Sequence, residues 1–139
     1  MKKYIIKGPT NSISGTVNIN GAKNSCLPLM AASILFKDKV ILKNVPLVKD
    51  VITMKNLLIS LGSKVEILKT NKMIIKNCKP HKRRVPYKLV STMRAGVLTM
   101  GSLLGRYQKK KIYVAKGGGC SLGIRDINYH CLLYTSPSP

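Results

Sequence analysis

The chain has 139 residues, 45% of them hydrophobic, and a formal net charge of +21 from 25 Lys and Arg against four acidic residues. Its length suits one domain or a piece of something larger, and its hydrophobic share excludes general disorder. The charge suggests a polyanion binder, but the lysines are scattered, only 79–84 and 109–111 form clusters, and one Phe with no Trp leaves few stacking groups for single-stranded nucleic acid.

The predicted elements run strand, helix, strand, helix, strand, strand. Residues 16–20 alternate apolar and polar as a strand does, and 25–36 form an apolar helix. Asn24 or Ser25 is expected to cap that helix, with Pro28 confined to its first turn. Residues 39–43 read as the second strand. Asp50 then caps a helix whose apolar positions Val51, Met54, Leu58 and Leu61 recur at helical spacing, and Gly62 stops it. Residues 64–68 and 72–76 form a hairpin around Thr70-Asn71. A second unit begins with a helix presenting Leu89, Met93, Val97, Met100 and Leu104 on one face, followed by a strand at 111–115. The whole is an α/β (α+β) chain in which 14–78 make one complete βαβαββ unit and 86–130 the start of a second.

Two stretches carry chemistry. Gly117-Gly118-Gly119-Cys120 sets one cysteine on a glycine-rich turn, with Lys116 before it and Arg125 after it. Glycine lets backbone approach a ligand closely, and the flanking cations favour a thiolate and would hold an anion beside it. A hairpin loop with an incidental buried cysteine fits the same string. Gly21-Ala22-Lys23-Asn24 lies between the first strand and the first helix. There a lysine projects where the unpaired N–H groups of a helix start already attract negative charge. A solvent-exposed lysine on an ordinary turn is the plain alternative. Arg94 lies one residue past an apolar helix position and reads equally as a snorkelling surface arginine.

Cys26, Cys78, Cys120 and Cys131 show no CxxC spacing, which fits a reducing compartment. Cys78 and His81 have the residue types for half a metal site but lack a second pair, so no metal is expected. Cys26 reads as a small core residue. No apolar run approaches membrane-spanning length. Met1-Lys2-Lys3 before Tyr4-Ile5-Ile6 is too short for a secretory signal, which points to the cytoplasm.

In collinear order the chain carries Gly8-Pro9-Thr10, Asn20-Gly21-Ala22-Lys23-Asn24, Asn44-Val45-Pro46 with Lys49-Asp50-Val51, Thr92-Met93-Arg94-Ala95, Gly118-Gly119-Cys120 and Gly123-Ile124-Arg125. With these motifs it resembles the UDP-N-acetylglucosamine 1-carboxyvinyltransferases, the enolpyruvyl transferases that open peptidoglycan precursor synthesis. The resemblance runs from Lys3 to about His130. It implies the N-terminal part, 1–130, of an inside-out α/β barrel built from βαβαββ repeats and truncated here. It further implies transfer of enolpyruvyl from phosphoenolpyruvate to the 3'-hydroxyl of UDP-N-acetylglucosamine, with no cofactor and neither nucleic acid nor membrane as partner.

On this resemblance Lys23 orients phosphoenolpyruvate and shares its phosphate with Arg125, and Asn24 hydrogen-bonds substrate or intermediate. Cys120 gives the proton to the methylene carbon. Arg94 and the loop Arg125, Asp126, Ile127, Asn128 and Tyr129 meet the uridine nucleotide. The family has Arg-Pro with an aspartate two residues later, where this chain has Arg125-Asp126-Ile127-Asn128. Residues 131–139 have no family counterpart and read like translated sequencing-adapter sequence, an authentic Ser/Pro linker being the alternative. The related 3-phosphoshikimate 1-carboxyvinyltransferases fit less well, because they lack a cysteine in this loop and carry Lys-Ser where this chain has Lys23-Asn24. A basic nucleic-acid-binding module is the reading from another class, and it leaves Lys23 and Cys120 unexplained.

Overall fold

The computed structural model describes residues 3–8, 12, 14–77, 82, 84–91, 93–108 and 111–113. Helix α1 spans Lys23–Ala32 and tightens into a 3-10 turn at Ser33–Leu35. Strand β1 follows at Val40–Leu42, then α2 at Lys49–Leu61 and the hairpin β2 (Lys64–Leu68) and β3 (Lys72–Lys76). Beyond it come a short α3 (Tyr87–Val90), a 3-10 turn at Arg94–Val97 and α4 (Leu98–Arg106).

The sheet has strand order β1-β3-β2 and both pairings are antiparallel. The registers set Val40 opposite Ile75 and Val65 opposite that same Ile75, so one face carries Val65, Met73 and Ile75 into the core. Against it lie the inward residues of α2, Val51, Met54, Leu57, Leu58 and Leu61, all fully buried. Helix α1 adds Leu27, Met30 and Ala31, its following turn adds Ile34, and Leu103 of α4 joins the same cluster. The expected helix stop is present: Gly62 sits at φ 118°, left-handed, where a side chain would be strained. Asn71 turns the hairpin at φ 51°, a conformation asparagine tolerates better than most residues.

Several expectations are corrected. Residues 16–20 join no ladder among the described residues, and Val17 and Ile19 are each 83% exposed. Alternation selects an extended backbone, whereas a strand also needs a partner edge. Helix α1 starts at Lys23, with Ala22 as N-cap and no side-chain cap, so neither Asn24 nor Ser25 caps it. Pro28 is therefore inside the helix and not in its first turn, and it has no N–H to give to the Asn24 carbonyl. Val48, not Asp50, is the N-cap of α2, and Asp50 lies within its first turn.

The single helix expected across 89–104 is broken. Met93 is extended (φ −146°, ψ 119°), so α3 and the later turns do not share one phase. The buried positions of α4 are Thr99, Ser102 and Leu103, while Leu104 is exposed. The expected strand at 111–115 shows only a parallel bridge between Arg84 and Tyr113, with Val85 N–H donating to the Tyr113 carbonyl at 2.9 Å; 114 and 115 lie outside the described residues.

A buried polar clasp closes the end of α1. Asn77 Nδ2 donates to the carbonyls of Ser33 (2.7 Å) and Phe36 (3.0 Å), and Ser63 Oγ donates to Asn77 Oδ1 at 2.7 Å. Arg106 Nη1 also donates to the carbonyls of Ile34 and Phe36. Carbonyls at a helix end lack intrahelical partners, and these side chains give donors to those of Ser33, Ile34 and Phe36 where the chain leaves the helix.

Candidate functional site

The site begins with a glycine. A Cβ built on Gly21 would lie 2.1 Å from the Asn44 carbonyl oxygen and 3.6 Å from Pro46 Cδ. Only a residue without a side chain admits this approach of two backbones. Asn44 is itself left-handed at φ 55°, and its Nδ2 donates to the Ile19 carbonyl at 3.3 Å. The next residue, Val45, donates its N–H to the Asn71 carbonyl at 2.8 Å, tying the loop to the hairpin turn. Two motifs separated in sequence, 20–24 and 44–51, thus form one structural unit.

That contact sets the first turns of α1 and α2 near each other, and the two helices pack together. Lys23 is the first residue of α1 and Asp50 the second of α2. Lys23 Nζ donates to Asp50 Oδ2 at 2.8 Å, with the side chains 46% and 39% exposed. An ion pair this open to water contributes between nothing and about 1 kcal/mol to folding, so its effect is on direction more than on stability. The carboxylate is also well placed at a helix start, where the backbone dipoles favour negative charge.

Asn24 is exposed in the same first turn, beside Lys23. Arg94 is half-buried and opens the 3-10 turn at Arg94–Val97, which touches both α1 and α2. Cys26, one turn into α1, is buried, and burial pushes its thiol up from the ordinary value. It is thus a neutral core thiol, as its sequence context suggests. Cys120, Arg125, Asp126, Ile127, Asn128 and Tyr129, with Lys116, lie outside the described residues. The structure brings Lys23, Asn24 and the element of Arg94 to one pair of helices.

Asp50 is the residue that sequence reasoning assigned to the wrong task. Its motif, Lys49-Asp50-Val51, was visible, but a carboxylate before an apolar run reads locally as a cap. The partnership with Lys23 spans 27 positions and has no local signal. Among the described residues no group of three His, Cys, Asp or Glu could hold a metal ion, and no helix is long and apolar enough to cross a membrane.

Comparison with known proteins decides the family. The sequence model of EPSP synthase (3-phosphoshikimate 1-carboxyvinyltransferase) matches residues 7–132. The chain belongs to the EPSP synthase family. Within that family it is 44% identical over 130 residues to a UDP-N-acetylglucosamine 1-carboxyvinyltransferase of Pelagibacter ubique, covering 94% of this chain and 30% of that protein. The namesake protein of Thermotoga maritima is 42% identical over 130 residues, again covering 94% and 30%. The namesake of Rickettsia rickettsii is 43% identical over 133 residues, covering 94% and 31%. The chain therefore spans about 30% of the length of these relatives. The enolpyruvyl transferase NikO of Streptomyces tendae shares the fold, with a TM-score of 0.61 at 18% identity over 69% of this chain and 22% of that one. The small antiparallel sheet backed by two helices is thus a segment of the EPSP synthase family's α/β architecture.

Proposed function

We propose that this chain supplies the N-terminal part, 1–130, of an enzyme that moves the enolpyruvyl group of phosphoenolpyruvate onto the 3'-hydroxyl of UDP-N-acetylglucosamine. The observation that carries the reading is Lys23 at the first turn of α1, set beside α2 by the Gly21–Asn44 contact, in a chain of this family. A lysine there meets a phosphate with both its own charge and the helix start behind it. Relatives at 40–44% identity bearing the UDP-N-acetylglucosamine 1-carboxyvinyltransferase name support the acceptor.

The reaction is an addition followed by an elimination. The sugar 3'-oxygen bonds to C2 of phosphoenolpyruvate as C3 takes a proton from Cys120, and the hydroxyl proton leaves to a base from the rest of the enzyme. In the second half C3 loses a proton, the bond from C2 to the phosphate oxygen breaks, and inorganic phosphate departs. Lys23 and Arg125 hold that phosphate throughout, Asn24 hydrogen-bonds the intermediate, and Arg94 with Arg125, Asp126, Ile127, Asn128 and Tyr129 meets the nucleotide. The second reading, transfer to 3-phosphoshikimate, draws on the description of the family model itself. The residues Lys23-Asn24 and Cys120 favour the sugar nucleotide.

The two are separated by labelling a full-length protein that carries these residues with the epoxide fosfomycin, followed by peptide mass spectrometry. Lys116 and Arg125 flank Cys120 in sequence and would favour its thiolate, so the label is expected there, with phosphoenolpyruvate protecting it. Label on Cys26 or Cys78 with Cys120 untouched would refute the assignment.

A further inference from the structure

We propose that Asp50 is a positioning residue for Lys23: it holds the lysine ammonium at the junction of α1 and α2 so that the phosphate of the substrate meets it in one place. The inference rests on the proposed role of Lys23 in binding phosphoenolpyruvate.

Lysine is a compact charge on a flexible four-carbon stem, so its head needs an external fix to act as a point of reference. Asp50 supplies one at 2.8 Å. Its own placement is well determined, because the loop leading into α2 is held at three points. Gly21 backs onto the Asn44 carbonyl, Val45 N–H donates to Asn71, and Val48 N–H donates to the Pro46 carbonyl at 2.9 Å. The ion pair therefore ties the ammonium to a fixed loop. The three donors of an ammonium let one lysine serve a carboxylate and a phosphate together. Asp50 touches no reacting atom in this scheme and acts only through Lys23.

The test is a double-mutant cycle in the full-length enzyme, with Asp50→Ala, Asp50→Glu, Lys23→Ala and the double variant Lys23→Ala/Asp50→Ala. Coupled residues show non-additive effects of the order of tenfold, whereas independent ones add. Asp50→Ala is expected to lower kcat/KM for phosphoenolpyruvate about tenfold with an unchanged thermal midpoint, and Asp50→Glu to recover most of the loss. In the Lys23→Ala background the same substitution is expected to cost less than about twofold. Phosphoenolpyruvate binding by calorimetry carries the cycle where turnover is too slow to read. Wild-type behaviour of Asp50→Ala, or its full penalty persisting without Lys23, overturns the proposal. Normal turnover and binding by Lys23→Ala would instead remove the role of Lys23, and Asp50's with it.

Discussion

Gly21 shows at the residue scale how backbone geometry prepares the site. With a Cβ there only 2.1 Å from the Asn44 oxygen and 3.2 Å from the Asn44 carbon, both backbone atoms, neither side can yield cheaply. Gly21→Ala is expected to destabilise the fold by about 2 kcal/mol, the usual size of an overpacking penalty, read as a lower denaturation midpoint. Turnover in the intact enzyme should fall with it, since Lys23 follows two residues later.

Lys23→Arg probes geometry at constant charge. Arginine replaces a compact ammonium with a longer planar fork, and a misplacement of about 1 Å can cost on the order of a hundredfold in rate. A large loss of turnover with an unchanged thermal midpoint is expected, and near-normal catalysis would make Lys23 an ordinary surface lysine. Cys26 gives a pH test. Its raised thiol pKa means that the folded chain holds the proton more tightly than the unfolded one. The stability this contributes is complete below the ordinary thiol pKa and is lost as pH rises through the raised value. Cys26→Ala should therefore flatten the alkaline side of a stability-against-pH curve, and iodoacetamide should label Cys26 only on unfolding.

At the scale of elements, local signals were readable and long-range ones were not. The stop at Gly62 and the turn at Asn71 follow from residues that tolerate positive φ, and both lie where the sequence puts them. Val51, Met54, Leu58 and Leu61 of the α2 core followed from spacing, whereas Leu57, also buried, was not among them. The break between Val90 and Arg94 did not, because apolar residues at 89, 93 and 97 satisfy a helical period even though Met93 is extended. The clasp at the end of α1 was equally hidden, since Asn77 and Arg106 reach it across 41 and 70 residues. Asn77→Ala removes the donor to two carbonyls and the acceptor for Ser63 in a buried setting. It is expected to cost about 1–3 kcal/mol, measured by denaturant unfolding. Of the candidate site, the motifs named Lys23, Asn24 and Arg94, whose elements the fold brings together, but the Lys23–Asp50 pair required the fold.

For the whole molecule, the balance between buried core and exposed apolar surface is the main physical fact. Among the described residues eighteen apolar side chains form one cluster, while Tyr4, Ile5, Ile6, Val17 and Ile19 are between 76% and 92% exposed. Apolar residues this exposed invite association with other chains. The isolated 139-residue polypeptide is therefore expected to self-associate and to show no transferase activity, the relatives being more than three times its length. Light scattering and a phosphate-release assay check both points. A monomer that turns over phosphoenolpyruvate would contradict them.

The central claim, that these residues belong to a sugar-nucleotide enolpyruvyl transferase, is tested most directly by the identity of the product. A full-length protein carrying residues 1–130 is incubated with phosphoenolpyruvate and equal amounts of UDP-N-acetylglucosamine and 3-phosphoshikimate, and the products are read by mass spectrometry. The expected result is enolpyruvyl-UDP-N-acetylglucosamine with one phosphate released for each molecule formed. Enolpyruvyl transfer to 3-phosphoshikimate alone, or no transfer to either acceptor, would contradict it.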